Sequence, residues 1–155
     1  LFVPIADTTI TGRFSGPVSP GIHALDPTSG EVRWYTPSVA DCDGKSPIPV
    51  CDQGMSAAIT STDQLVFAGS LDGNLNVYDS LSGEILWSFD TFGDFESVSG
   101  DTALGGSIES DGPVLYKGHL LINSGYQNGA RMPGNALMVF SLPPEADLAR
   151  STRDE

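Results

Sequence analysis

The chain has 155 residues, including 18 glycines and 11 prolines, which suits one folded domain with many turns. Its 20 acidic and 7 basic residues give a net charge of −13. Such a surface is repelled by nucleic-acid phosphates and anionic lipid. No apolar run approaches the ~20 residues that a membrane helix needs, so we expect no nucleic-acid partner and no membrane insertion.

The first predicted elements are three strands. Residues 1–7 read as a strand without an initiator Met, and we expect the chain to be cut from a longer one. After a polar, Gly/Pro-rich loop at 8–20, residues 22–26 and 31–36 are predicted as two further strands. The turn between them ends at Gly30, whose permissive backbone allows a sharp reversal.

Two cysteines, Cys42 and Cys51, lie in a loop at residues 37–55 that is rich in Pro, Asp and Gly. Cysteines so close together in a secreted chain indicate a disulfide that pins the loop, with free thiols as the alternative. Metal binding would need more soft ligands nearby, and the two histidines, His23 and His119, are distant in sequence.

Three acids of the same loop, Asp41, Asp43 and Asp52, could offer oxygens to a calcium ion. Their spacing does not fit an EF-hand loop. We therefore expect solvated acids at these positions and no metal site in the chain.

Residues 65–90 form the unit that the chain repeats. They read as three short strands separated by Asp-Gly and Ser-Gly turns, which are spaced too closely for a helix to start. With residues 56–60 as a preceding strand, the unit becomes a four-stranded antiparallel meander.

Two further copies of this unit can be recognised. Residues 22–34 align without a gap on 75–87, and a more diverged copy occupies 120–141. A period of about 40–60 residues is typical of propeller blades with loop insertions. Because a blade buries both faces only against its neighbours, the sequence predicts an all-β propeller, with about three consecutive blades of a larger ring present.

The predicted propeller part covers residues 1–142, and residues 143–155 are expected to be a loose polar tail. The propeller part contains a partial blade at 1–36, a complete blade at 56–90 and a closing partial blade at 106–142. The opening blade lacks its innermost strand and the closing blade lacks its outermost one.

The long connections of the predicted blades all emerge on one face of the disc. Functional residues concentrate on such loops above a rigid scaffold, so we expect a ligand near the axis on that face. The strand after the third long connection is predicted over 106–110 and 113–116. The four connections are residues 8–21, 37–55, 91–105 and 125–135.

The two tryptophans recur at equivalent positions, each after a Gly-Glu turn. We expect each indole to pack against the adjacent blade, while an aspartate holds the preceding turn by hydrogen bonds. A rim strand lies too far from the axis for its tryptophan to touch a central ligand. The predicted docking residues are Asp26, Gly30, Trp34, Asp79, Gly83 and Trp87.

Candidate cofactor contacts lie on the loop-rich face. Gly105, Gly106 and Ser107 enter an inner strand, where glycines would let backbone N–H groups approach a flat ligand on the axis. Tight packing of the inner strands is the alternative. Asn128 and Arg131 lie on the long loop of the last blade, and Arg131 could pair with a ligand carboxylate or lie in solvent.

The pattern Ala24-x-Asp26-x-x-x-Gly30-Glu31-x-x-Trp34 resembles the tryptophan-docking motif of pyrroloquinoline quinone (PQQ) dehydrogenases. The second copy departs from it at Val77. The cysteine loop resembles that of polyvinyl alcohol dehydrogenases, and the resemblance as a whole covers only the C-terminal part of that family's propeller. Four stretches look like the closing blade of those enzymes: 105–108, 112–114, 123–126 and 132–135.

This resemblance implies an eight-bladed propeller with PQQ and calcium on its axis, in a periplasmic or secreted protein. It further implies oxidation of secondary alcohols to ketones, with hydride passing to the quinone and electrons leaving to a cytochrome c. No position of the chain matches the family's calcium ligands or catalytic base. We expect those residues on blades outside this sequence.

The sequence therefore predicts the C-terminal blades of a PQQ-dependent alcohol dehydrogenase, inactive as an isolated piece. The alternative is a PQQ-like propeller that has lost catalysis and acts as a protein-binding scaffold. The long loops and the Gly-Gly-Ser sequence favour the enzyme, because a scaffold needs no narrow axial pocket. A complete small domain of three blades would leave both blade edges bare.

Overall fold

The computed structural model describes residues 1–7, 17–46, 50–109, 111–126 and 131–142. These residues form twelve β-strands and no helix, and all strand pairings are antiparallel. The predicted all-β class is confirmed. Within the described ranges, no helix could cross a membrane.

The strands form three sheets and one separate hairpin, in which neighbours in sequence pair with each other. The first sheet contains β1 (Phe2–Ile5), β2 (Gly21–Leu25) and β3 (Val32–Pro37). The second contains β4 (Thr60–Ser61), β5 (Leu65–Gly69), β6 (Asn74–Asp79) and β7 (Ile85–Asp90). The hairpin is β8 (Gly93–Glu96) with β9 (Thr102–Gly105). The third sheet contains β10 (Val114–Tyr116), β11 (His119–Ser124) and β12 (Ala136–Ser141).

The first two sheets repeat one turn in atomic detail. Asp26 Oδ1 and Asp79 Oδ1 each accept hydrogen bonds from the backbone N–H groups two and three residues later, at 2.7–3.2 Å. The turns end at Gly30 and Gly83, with φ of +77° and +75°, in the left-handed region that favours glycine. Both hairpins also carry a register shift just before the aspartate. The aligned sequences therefore fold into equivalent hairpins.

The two middle strands of the second sheet, β5 and β6, are largely buried on both faces, whereas β7 is largely exposed. Side chains of a strand alternate between faces, so Leu75 and Val77 of β6 pack toward the third sheet while Tyr78 packs toward the first. The cluster toward the third sheet comprises Ala57, Phe67, Leu75, Val77, Ile108, Leu120 and Ile122. The cluster toward the first comprises Ile22, Met55, Val66, Ala68 and Tyr78.

The structure departs from the predicted strands in three places. A strand was predicted over 56–60, but β4 covers only Thr60–Ser61. Residues 91–104, predicted as a loop, contain most of the β8–β9 hairpin. Residues 106–109 are not a strand, because the N–H groups of Ser107 and Ile108 donate to carbonyls of the 131–135 segment and of the β5–β6 turn.

Candidate functional site

The predicted cofactor loop, residues 105–107, is buried in the structure and bonded within the chain. The Gly106 N–H donates to Ser124 Oγ at 2.8 Å, and the Ser107 N–H donates to Met132 O at 3.0 Å. Ser107 Oγ donates to Leu71 O at 2.6 Å and accepts from the Met132 N–H at 3.1 Å. These donors thus tie the second sheet to the segment before β12.

Close backbone packing explains both glycines of this loop. A Cβ on Gly105 would overlap Thr91 O, and a Cβ on Gly106 would overlap Met132 O. Thr91 Oγ1 lies 2.7 Å from Ser124 Oγ and donates to Gly73 O at 2.7 Å, which completes a buried polar junction. The tight-packing alternative therefore accounts for residues 105–107, and their contact with a cofactor stays a prediction.

Arg131 lies among acidic side chains of this chain. Its Nη1 is 3.3 Å from Asp52 Oδ2, and its Nε is 4.0 Å from Glu109 Oε1. Asp52 is only 4% exposed and accepts the Gly54 N–H at 2.9 Å, so the expectation of a solvated acid is wrong there. Arg131 thus links the segment that precedes β4 to the segment that precedes β10. Asn128, the other predicted contact on this loop, lies outside the described residues.

PQQ and calcium, which the resemblance implies, each need a particular set of ligands. PQQ is a flat, polyanionic quinone that needs cationic and N–H donors, but Gly106, Ser107 and Arg131 already have partners within the chain. In the described part of the chain, no three His, Cys, Asp or Glu side chains are grouped to hold a metal. The described residues alone therefore do not form a site for either group.

A disulfide and an ion pair hold the cysteine loop in place. Cys42 and Cys51 form a disulfide with an S–S distance of 2.08 Å. Lys45 between them reaches into the second sheet, where its side chain is 4% exposed and its Nζ donates to Asp72 O at 2.8 Å. The Asp90 carboxylate lies 3.0 Å from the same Nζ. The loop is thereby held against the end of the second sheet.

Asp72 is the polar centre of that contact. Its Oδ1 accepts from the Ser70 hydroxyl and from the Asn74 N–H, and its Oδ2 accepts from the Asn74 side chain at 2.9 Å and the Asp41 N–H at 3.0 Å. Four donors compensate the burial of this carboxylate. No sequence pattern indicated a contact between Lys45 and Asp72, because the two are 27 positions apart in the chain. The Asp-Gly pair at 72–73 was the one signal available.

The two predicted docking tryptophans have different partners. Trp34 donates its Nε1–H to Ser80 O at 3.1 Å and lies against Gly83, in the turn of the second sheet. The ring centroid of Trp87 lies 5.5 Å from that of Phe140 in the third sheet, edge to face, and 5.9 Å from that of Phe89. Each indole thus reaches the sheet that follows its own.

The aspartates of the two repeated turns titrate below their ordinary range. The Arg33 side chain and the Thr28 and Ser29 N–H groups lower the pKa of Asp26 from 3.8 to about 2. The Ser82 and Leu81 N–H groups lower the pKa of Asp79. Both carboxylates therefore stay ionised at neutral pH and hold their turns.

Comparison with known proteins identifies relatives. A polyvinylalcohol dehydrogenase from Sphingopyxis sp. is 34% identical over 133 residues, which cover 79% of this chain and 20% of that protein. A polyvinylalcohol dehydrogenase from Pseudomonas sp. is 32% identical over the same shares. A 1-butanol dehydrogenase (cytochrome c) from Thauera butanivorans is 31% identical over 71% of this chain and 15% of that protein. No protein-family model matches.

A solved structure supports the same relationship. The quinohemoprotein alcohol dehydrogenase ADHIIG from Pseudomonas putida HK5 is 26% identical, with a TM-score of 0.51 over 72% of this chain and 15% of that one. The sheets are therefore blades of a quinoprotein-type propeller, as predicted.

The chain is related to the polyvinyl alcohol dehydrogenase-like quinoproteins, which confirms the resemblance read from the sequence. It spans about a fifth of the length of the polyvinylalcohol dehydrogenases that it matches.

Proposed function

We propose that the chain is the C-terminal, three-blade part of a PQQ-dependent dehydrogenase that oxidises secondary alcohols of the polyvinyl alcohol type. The observation that carries this proposal is the similarity to two polyvinylalcohol dehydrogenases over 79% of the chain. The cytochrome c named for the butanol-oxidising relative supports a cytochrome c as electron acceptor. A periplasmic or secreted location is part of the proposal, and the Cys42–Cys51 disulfide is compatible with it.

In this proposal the chain forms blades beside the cofactor and does not supply the catalytic groups. PQQ, when bound with calcium, provides the group that accepts hydride from the alcohol. Since the described residues do not complete a site for it, the calcium ligands and the base belong to other blades. Gly105, Gly106 and Ser107 would act through the buried junction that they form, and Arg131 and Asn128 would lie at the edge of the cofactor's surroundings.

Dye-linked alcohol oxidation tests this proposal. The full-length protein that carries this sequence, reconstituted with PQQ and Ca²⁺, should reduce the dye with polyvinyl alcohol and with butan-2-ol. The tertiary alcohol 2-methylpropan-2-ol is the matched control, since its carbinol carbon carries no hydrogen to transfer. We expect the 155-residue chain alone to be inactive.

Absence of dye reduction with every alcohol in the reconstituted full-length protein would contradict the proposal. Clear activity of the 155-residue chain alone would contradict the assignment of base and calcium ligands to other blades.

A further inference from the structure

The β8–β9 hairpin has one strand edge that no other strand of the described residues covers. β8 pairs along its four residues with β9 alone. The far edge of β9 is covered, because the Leu104 N–H donates to Asn135 Oδ1 at 2.8 Å and Leu104 O accepts from the Asn135 N–H at 2.7 Å. The edge of β8 is therefore the open side of the hairpin.

The turn of the hairpin shows which backbone groups of β8 face this edge. The Ser97 N–H donates to Asp101 O at 2.8 Å, so these two residues form a hydrogen-bonded pair. In an antiparallel ladder, such pairs alternate with pairs whose backbone groups point away from each other. Asp94 and Glu96 belong to pairs of the second kind, so their N–H and C=O groups point outward from the hairpin. The outward bonds of Leu104, which pairs with Asp94, agree with this alternation.

The four outward groups of Asp94 and Glu96 are available for pairing. Within the described ranges, their two N–H and two C=O groups make no hydrogen bond to another part of the chain. Both side chains are exposed, so nothing in those ranges lies over them. An unpaired strand edge is a template on which an extended segment can add as a further strand. The edge of β8 therefore offers a docking place for such a segment.

The side chains of β8 specify the residue types that fit. Asp94 and Glu96 are two positions apart and share the exposed face of the hairpin. Phe95 lies on the other face, where its ring centroid is 6.2 Å from that of Phe89. Directly opposite side chains on neighbouring strands interact, and opposite charges stabilise the pair. An added strand that fits has cationic residues opposite the two acids and an apolar residue opposite Phe95.

The charge of the edge disfavours a second copy of this chain as the added strand. Antiparallel pairing of two β8 edges would place carboxylates of one copy against those of the other, and like charges directly opposite each other are destabilising. Asp101 adds a third exposed acid at the turn of the hairpin. The chain as a whole carries a net charge of −13. Charge complementarity therefore selects a basic partner.

We propose that the open edge of β8 docks an extended, basic segment of another protein as a third, antiparallel strand. Lysine or arginine alternates with apolar residues in this segment. Backbone hydrogen bonds to Asp94 and Glu96 hold the segment, and the alternation makes the binding selective. The site uses neither residues 105–107 nor Arg131, so it stands apart from the proposed dehydrogenase activity.

Fluorescence anisotropy with a labelled peptide tests the proposal on the full-length protein that carries this sequence. The probe is the peptide Lys-Val-Lys-Val-Lys with capped ends, which should bind. The peptide Glu-Val-Glu-Val-Glu, which has the same alternation and the opposite charge, should not bind. Absence of binding by the basic peptide would contradict the proposal, whether or not the full-length protein oxidises alcohols.

Backbone methylation of the peptide separates strand pairing from attraction between charges. In an antiparallel pair, the N–H groups of the residues opposite Asp94 and Glu96 face β8, whereas those of the residues between them face away. Methylation of the lysine backbone nitrogens should therefore abolish binding. Methylation of the valine backbone nitrogens is the matched control and should leave the Kd unchanged. Equal affinities of the two methylated peptides would overturn the proposal.

Two double variants locate the binding. Asp94→Asn combined with Glu96→Gln removes both charges and keeps the backbone edge, so it should raise the Kd about fivefold, as expected for the loss of two exposed ion pairs. Asp63→Asn combined with Glu84→Gln removes the same two types of charge from exposed positions in the turns of the second sheet. This control should leave the Kd unchanged. Equal changes in the two double variants would contradict docking at β8.

Reversal of the charge on β8 provides a test that loss of structure cannot imitate. Asp94→Lys combined with Glu96→Lys should bind the glutamate peptide and no longer bind the lysine peptide. Circular dichroism checks that this variant is folded. Failure of a folded variant to exchange its preference would refute the proposed recognition.

Sedimentation of the unmodified full-length protein tests the competing occupant of the edge. The protein should not form a dimer through β8. A dimer that the basic peptide dissociates would make a second copy the occupant and would contradict the proposal.

Discussion

Trp34 and Trp87 occupy the same position of one repeated motif, yet they dock in different ways. Trp34 donates a hydrogen bond to Ser80 O and lies against Gly83, so its partner is a turn of the next sheet. Trp87 has aromatic partners, including Phe140, and 40% of its surface is exposed. The repeated residues therefore specify the hairpin, whereas the neighbouring sheet decides how firmly the indole is held.

The largest effect is expected from Gly83→Ala. The new Cβ would lie 2.5 Å from Trp34 Cε3 and 2.8 Å from Thr36 Oγ1, at a residue with φ of +75°. Steric overlap and backbone strain together should lower the free energy of unfolding by about 3–4 kcal/mol. Urea denaturation measures this loss.

Gly30→Ala is the matched control. Gly30 has φ of +77°, but no atom lies within 4 Å of an added Cβ. Only the cost of the left-handed backbone remains, about 1 kcal/mol. Equal losses in the two variants would show that contact between Trp34 and Gly83 contributes nothing.

Removal of the indole side chains should cause the next largest loss in the free energy of unfolding. Trp34→Ala should cost about 3 kcal/mol, because a part-buried ring and its hydrogen bond to Ser80 O are both lost. Trp87→Ala should cost about 1–2 kcal/mol, since its ring is partly exposed. Thermal denaturation measures the stability that each variant loses. A greater loss for Trp87→Ala than for Trp34→Ala would contradict the view that Trp34 is held more firmly.

A smaller loss of stability is expected when the Thr36 hydroxyl, which lies beside the contact between Trp34 and Gly83, is removed. Thr36 Oγ1 donates to Gly83 O at 2.6 Å. Thr36→Val keeps the shape of the side chain and removes the donor, which should cost about 1 kcal/mol. Thr102→Val on the exposed side of β9 is the control and should change the free energy of unfolding by less than about 0.5 kcal/mol. Indistinguishable urea midpoints for Thr36→Val and Thr102→Val would show that this hydrogen bond does not stabilise the contact between the two sheets.

The smallest effect concerns the pH dependence of the two turns. The pKa of Asp26 is lowered to about 2 and that of Asp79 is also lowered. A carboxyl with a depressed pKa in the folded state stabilises the protein above its ordinary pKa, and this stabilisation is lost as pH falls from about 4 to about 2. Asp26→Asn should flatten the fall of the urea midpoint over that range, and Asp79→Asn should flatten it below the ordinary carboxyl pKa. Curves parallel to that of the unmodified protein would contradict this assignment.

Local features of the fold could be predicted from the sequence. The repeated turns were predictable because an aspartate and a glycine, with three residues between them, close each turn with local hydrogen bonds. The β8–β9 hairpin was missed because its two strands have four residues each and carry only weak alternation. The strand predicted over 113–116 is present as β10, whereas the strand predicted over 106–110 is wrong for another reason. Residues 106–109 bond to distant carbonyls, and no local pattern encodes such partners.

The candidate sites show the same division. Gly105 and Gly106 were recognised as positions of close approach, but the sequence does not say that Thr91 and Met132, rather than a ligand, approach them. The ion pair of Lys45 with Asp90 and that of Arg131 with Asp52 join residues 45 and 79 positions apart. Their formation depends on how the sheets pack, which composition and spacing leave undetermined.

The self-contained closure of the Asp26 and Asp79 turns has a consequence for the order of folding. Isolated hairpins close within about 1–10 μs, whereas contacts between distant segments must first overcome the entropy of closing long loops. Both hairpins should therefore be present as preformed ribbons in the transition state, before Trp34 reaches the carbonyl of Ser80, 46 positions away. Damage to a turn would then slow folding, while damage to an indole contact would mainly accelerate unfolding.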